Sequence, residues 1–215
     1  LHKPFIPLKA YSDPGNYRIA LDVSRETLAA ADPALMSARS GCPFDDGISA
    51  FTVTCLDHDF LVSYPGGRVR YAGSNLEPYF SLQIIMINYL ARADGTPLSY
   101  KYITYRELEG GRVFYDAFFR TAIKPLAEAF GRNPELLPAA AAPFGGAPYR
   151  RGTGTGALLF FLPRVPLLFQ VWPGDEEFPP GAGILFDATA NHYLHTEDLA
   201  ATDIVTRLLL KNIPD

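Results

Sequence analysis

The spacing of apolar and polar positions changes period several times along the chain, and each change marks an element. Tyr17, Leu21 and Leu28, with Ala20 and Ala29 beside them, fall on one stripe of a helix. Asp13-Pro14 starts that helix, the aspartate as N-cap and the proline at the first helical position, where a missing N–H costs nothing. Asp32-Pro33 opens a short helix in the same way, ended by Gly41, and Asn133-Pro134 opens another that Pro138 limits. Over residues 51–71 the pattern turns to β-prone runs, FTVTCL, DFLVSY and RVRY, separated by Asp57-His58 and Pro65-Gly66-Gly67, which predicts a three-stranded antiparallel meander. Residues 79–91 are almost continuously apolar but include Gln83 and Asn88 and fall short of the roughly 20 residues of a membrane span. They predict a buried helix that ends near Arg92, with a turn at Asp94-Gly95.

In the second half, Thr104 and Glu107 have the spacing of a capping box, and Gly110-Gly111 stops the helix they open. Phe114, Phe118, Ala122, Leu126 and Phe130 then step by four along a longer helix. Residues 139–156, rich in Ala, Gly and Pro, read as the main internal loop. Apolar runs at 157–162, 167–172 and 183–187 predict strands buried on both faces, and a last helix starts near Glu197, with Asp203, Arg207 and Lys211 on its wet side. Helices before, between and after two strand groups predict an α+β fold. Residues 1–12 form an arm, and 13–215 form a single domain with two groups of mainly antiparallel strands covered by about five to six helices.

A chain of 215 residues, 48% hydrophobic, is long enough for a sizeable core. Its net charge of -4 and scattered Lys and Arg argue against nucleic acid as a partner, and no apolar run argues for a membrane. Cys42 and Cys55 lack CxxC spacing and are too few for a metal framework of their own; the spacing leaves a disulfide between them open. The first residues do not follow the order of a signal peptide, which makes the cytoplasm the expected compartment.

The candidate chemistry gathers in residues 163–200, where an acidic cluster, two histidines and the only tryptophan stand between apolar runs. Asp175, Glu176 and Glu177 follow Trp172-Pro173-Gly174 on a proline-bounded loop, and crowded carboxylates can raise a pKa or attract a cation. With Trp172, Tyr193 and Arg106 they form the candidate ligand-binding set. Asp187, His192 and His195 are residue types that ligate zinc or iron, although His192-x-x-His195 is not the HExxH arrangement. The glycines of residues 151–156 do not make a phosphate loop, because they run into a strand and lack the Lys-Ser/Thr ending; a turn is the better reading. No GxSxG elbow is present.

Taken together, Arg92-Ala-Asp-Gly-Thr-Pro97, Tyr102-Ile-Thr-Tyr-Arg-Glu-Leu108, Phe161-Leu-Pro-Arg-Val-Pro166, Gly174-Asp-Glu-Glu-Phe-Pro179, Leu185-Phe-Asp187 and Tyr193-Leu-His-Thr-Glu-Asp198 resemble the domain-of-unknown-function family thirty-seven eighty-six. The likeness runs from about Asp13 to Leu210. It implies a setting in anaerobic bacteria and archaea, where some relatives carry an attached iron-sulfur domain, and hence a redox or corrinoid-related partner protein. This chain has no such cysteine cluster, and the resemblance transfers no catalytic residue.

The expectation is therefore a non-catalytic module that binds a small ligand, cofactor or partner protein through residues 172–198 and nearby aromatics. The alternative is a metal-assisted hydrolase or lyase with Asp187, His192 and His195 as ligands and Glu176 or Glu177 as base. Convergence of Asp175, Glu176, Glu177, Asp187, His192 and His195 in space separates a site from a scaffold.

Overall fold

The computed structural model describes residues 14–152 and 154–214. The expected arm over 1–12 and the N-cap Asp13 lie outside the described residues. The fold is α+β, with two antiparallel sheets, one in each of two compact units. The first unit holds the described residues up to Pro97 together with His192–Leu194, and the second holds Leu98–Asn191 and the residues from His195 onward.

In the first unit, helix α1 (Pro14–Ala30) buries Leu21 and Leu28 and packs against α3 (Phe80–Arg92). Helix α2 (Pro33–Ser40) has the expected caps: Asp32 Oδ1 accepts from Leu35 N at 2.9 Å, and Gly41 takes the left-handed φ of 74° that closes the last turn. The expected meander is present as β2 (Ala50–Cys55), β3 (His58–Ser63) and β4 (Val69–Tyr71), with a short additional strand β1 (Phe44–Asp45) on the β2 edge. The β2–β3 turn is Leu56-Asp57, one residue earlier than the Asp57-His58 separation read from the sequence. Both turn residues have positive φ, 49° and 63°, as a tight hairpin whose twist matches its strands requires. Helix α3 is buried from Leu82 through Ile87 and again at Tyr89 and Leu90, as its unbroken apolarity predicts. The Tyr89 hydroxyl donates to Ser40 O at 2.6 Å, giving a buried polar tip a partner. Cys42 and Cys55 are buried free thiols, and burial pushes Cys42 up to about 12 and Cys55 higher.

The second unit is built on a five-stranded sheet in the order β5-β9-β8-β7-β6: β5 (Tyr102–Thr104), β6 (Ala147–Arg151), β7 (Gly154–Leu162), β8 (Val165–Trp172) and β9 (Gly181–Asp187). Strand β8 is buried along its length except for Trp172, in keeping with its continuous apolarity. Phe161, Phe169 and Phe186 from the sheet and Phe118, Leu126 and Phe130 from the helices are all fully buried or nearly so.

Four elements depart from the sequence reading. The helix expected over 114–130 is divided into α4 (Gly111–Phe118), a π turn (Phe119–Ile123) and α5 (Lys124–Phe130). Pro125 has no N–H to donate to the turn before it, and the widened turn, with Lys124 N bonded to Phe119 O, accommodates that gap. Pro138 does not limit a helix but sits inside α6 (Leu136–Ala141), in the first turn, where its absent N–H is not needed. The stretch read as a loop over 139–156 contains the end of α6 and the edge strand β6, whose pairing with β7 overrides its weak local preference. The last helix is two: α7 (Thr196–Ala200) and α8 (Asp203–Lys211), separated where the Thr202 hydroxyl donates to Leu199 O.

Candidate functional site

Within the second unit the loop between β8 and β9 forms an open groove of about 630 Å³. Residues 173–180 line it together with Glu128, Gly131 and Arg132 from the end of α5. Close backbone approach holds the loop there, since a Cβ on Gly131 would lie 2.2 Å from Pro180 Cβ. Asp175 closes the loop on itself: its Oδ1 accepts from Glu177 N at 2.9 Å and Phe178 N at 2.7 Å, while its own N–H donates to Phe178 O. Asp175 is thus a structural residue of the loop, and Glu176 and Glu177 are left as exposed carboxylates that make no hydrogen bond with their side chains among the described residues. Phe178 is 66% exposed beside them.

Trp172 precedes the groove at the end of β8. Its indole lies over the neighbouring strand, where Gly181 and Gly183 provide a bed without side chains; a Cβ on Gly183 would meet Trp172 Cη2 at 3.3 Å. Two glycines in β9 therefore position the only tryptophan of the chain.

Asp187 stands at the far end of β9 from this loop, about 20 Å away by the rise of a seven-residue strand. It is fully buried. Oδ1 accepts from Ser99 N and Oγ and from Thr189 N and Oγ1, and Oδ2 accepts from Tyr100 N at 2.6 Å. Burial raises the carboxyl's pKa, but the donors of Thr189 and Ser99 outweigh it and leave the value below the ordinary one. Tyr100, in the left-handed region at φ 54°, owes its strained backbone to the N–H it aims at this carboxylate. A carboxylate so fully engaged holds the β5 entry to the β9 end and is not positioned to ligate a metal.

His195 is the N-cap of α7, its carbonyl accepting from Leu199 N. The Arg106 guanidinium lies 3.7 Å from the centroid of the Tyr115 ring, a cation–π contact, and Arg106 is not among the groove residues. Tyr105, beside it, is buried, stacks on Phe118 at 4.3 Å and donates to Thr196 O, and its own burial raises its pKa to about 12.

His192 and Tyr193 belong to the first unit. Tyr193 is completely buried, stacks on Tyr89 with ring centroids 5.9 Å apart, and donates to Thr96 O. It fixes a turn and is not presented to a ligand. The neighbouring His192 points outward: its Nδ1 is 2.7 Å from Asp94 Oδ2 and 3.1 Å from Thr96 Oγ1, and both His192 and Asp94 are 48% exposed. Thr96 N donates to Asp94 Oδ1 at 2.8 Å, which locks the carboxylate toward the imidazole. The sequence reading took Asp94 only as a turn residue and missed this pair, because no local spacing links positions 98 residues apart.

Of the six side chains whose convergence was in question, the second unit brings together Asp175, Glu176 and Glu177 and holds Asp187 at the opposite end of β9. Among the described residues, no group of three or more His, Cys, Asp or Glu side chains is placed to hold a metal ion. No helix of the described residues is long and apolar enough to cross a membrane.

The model of the family described as Domain of unknown function (DUF3786) matches residues 32–207. The chain belongs to this family. The matched stretch takes in both sheets, Asp94, Asp187, His192 and the entire groove loop, whereas α1 precedes it. Neither the curated proteins nor the solved structures contain a match.

Proposed function

We propose that this DUF3786 chain is a non-catalytic binding module that takes a small ligand, a cofactor or a partner protein at the groove between β8 and β9. The observation that carries the reading is the groove itself. It is an open concavity of about 630 Å³ in which Glu176 and Glu177 stand exposed beside Arg132 and Phe178, on a loop already closed by Asp175. Carboxylates that are not used to build the loop are available to a ligand carrying cationic or amide donors, and an exposed phenyl ring offers it apolar area. The family resemblance and the buried free thiols support a reducing cytoplasm in an anaerobic cell as its setting, with cofactors of redox or corrinoid metabolism as the first ligands to try.

Isothermal titration and thermal-shift measurements with corrinoids, flavins, haem and divalent metals test the reading. Binding that weakens on Glu176→Gln and Glu177→Gln, and that changes the emission of Trp172, is the expected result. No response to any of these ligands, together with no protein retained on purification, overturns it.

A further inference from the structure

The Asp94–His192 pair has features that a chance surface contact lacks. The Asp94 carboxylate accepts at Nδ1 of the ring, so the neutral imidazole carries its proton on that nitrogen and its lone pair on Nε2. Thr96 holds the carboxylate from the backbone, and the buried Tyr193, bonded to Thr96 O and stacked on Tyr89, ties the histidine's own chain segment to the same turn. Nε2 has no hydrogen-bond partner among the described residues, and the ring is half-exposed. A carboxylate behind an imidazole fixes its orientation and the tautomer that leaves Nε2 unprotonated.

The aliphatic stem of a basic side chain packs on the same turn. A Cβ added to Gly95 would sit 3.4 Å from Arg39 Cγ, so the Arg39 stem crosses the residue between Asp94 and Thr96. Arg39 is exposed and makes no ion pair among the described residues, which leaves its guanidinium able to meet an anion that approaches the turn.

We infer that His192 is a phosphoryl-acceptor site, in which Nε2 attacks an anionic phosphoryl donor oriented by Arg39 while Asp94 holds the proton on Nδ1. In the step the Nε2 lone pair forms the N–P bond as the bond from phosphorus to the leaving group breaks. The leaving group keeps the electron pair of that bond, and Nδ1 keeps its proton. With phosphoramidate as donor, ammonia departs with the protons it already carries. The site lies in the first unit and does not depend on the groove of the second.

His58 is an internal comparison, because its Nδ1 lies 2.7 Å from Leu56 O, a neutral carbonyl in place of a carboxylate. The protein is incubated with potassium phosphoramidate at neutral pH, and the phosphohistidines are located by mass spectrometry and assigned to a ring nitrogen by phosphorus NMR. His192 is expected to be labelled on Nε2 roughly tenfold faster than His58 or His195, the low end of what an orienting carboxylate contributes. Asp94→Asn is expected to remove that advantage, and Arg39→Gln to reduce it, with circular dichroism unchanged. Labelling of His192 no faster than of His58 and His195 in the unmodified protein overturns the inference, as does labelling on Nδ1. Nitrogen NMR of the unmodified protein gives a check free of any variant: a neutral imidazole protonated on Nε2 also overturns it.

Discussion

Asp94 Oδ2 and His192 Nδ1 are 2.7 Å apart across 98 positions of sequence, and the two residues are equally exposed. The pair stands on a turn whose other contacts are buried, since Tyr193 and Tyr89 are both inaccessible to solvent. Its geometry is therefore set by the packing beneath it more than by the ion pair itself, which at a surface contributes only about 0.2–1 kcal/mol.

The pair gives the protein a defined response to acid. The hydrogen bond from His192, followed by those of the Thr96 backbone and hydroxyl, holds the Asp94 carboxyl at about 2, against an ordinary 3.8. As the pH falls the unfolded chain takes up this proton first, so the stabilisation is complete above 3.8 and is lost toward 2. Denaturation midpoints measured from about pH 5 to about pH 2 should fall less steeply for Asp94→Asn than for the unmodified protein. Parallel curves would show that the contact is not formed in solution.

Asp187 should be far more costly to lose. Removing its carboxylate leaves the buried donors of Thr189 unpaired and takes the shared acceptor from the part-buried donors of Ser99 and Tyr100. Asp187→Ala is expected to destabilise by roughly 3 kcal/mol or more in urea denaturation. Asp187→Asn is expected to cost less, because the amide oxygen still accepts while its NH2 must face a donor. A cost below about 1 kcal/mol for the alanine variant would mean that water replaces the carboxylate.

The bed under Trp172 makes another test. At Gly183 even a methyl group meets the indole at 3.3 Å, so Gly183→Val must push the ring off β9. The emission of the single tryptophan should shift to longer wavelength, with stability reduced by about 1–3 kcal/mol. Unchanged emission would place the indole elsewhere.

Thr206 leads to the opposite sign. Its side chain is fully buried on α8 and its hydroxyl has no hydrogen-bond partner among the described residues. Thr206→Val replaces an unsatisfied hydroxyl by a methyl of similar size, and thermal unfolding should show a gain of roughly 1 kcal/mol. A loss would imply a partner for the hydroxyl in solution.

Where local rules act alone, the sequence and the structure agree closely. Asp32 caps α2 and Gly41 ends it because both effects are complete within one turn of chain. The apolar runs that became β7, β8 and β9 were legible as strands from their continuous apolarity, but only β8 is buried on both faces as expected; Phe160 of β7 is exposed and β9 is half-buried from Gly181 to Gly183. Residues 139–156 misled because Ala, Gly and Pro have little β preference, and β6 exists only through its pairing with β7. The acidic loop was recognisable as a cluster, but the sequence could not show that Asp175 would be consumed in closing it while Glu176 and Glu177 remained outside.

The sequence by itself determined the α+β class, the limits of α2 and α3, the main strands and the family to which the chain belongs. Periodicity and capping depend on residues a few positions apart, and these are present in any reading of the chain. Only the tertiary structure decided the partners of the polar groups. The registers of β5 on β9 and the return of the chain at His192 bring Asp187 to Ser99 and His192 to Asp94 across 88 and 98 residues. Such pairings are fixed by how whole elements close on one another, and that closure made one carboxylate a buried anchor and the other the support of an exposed imidazole.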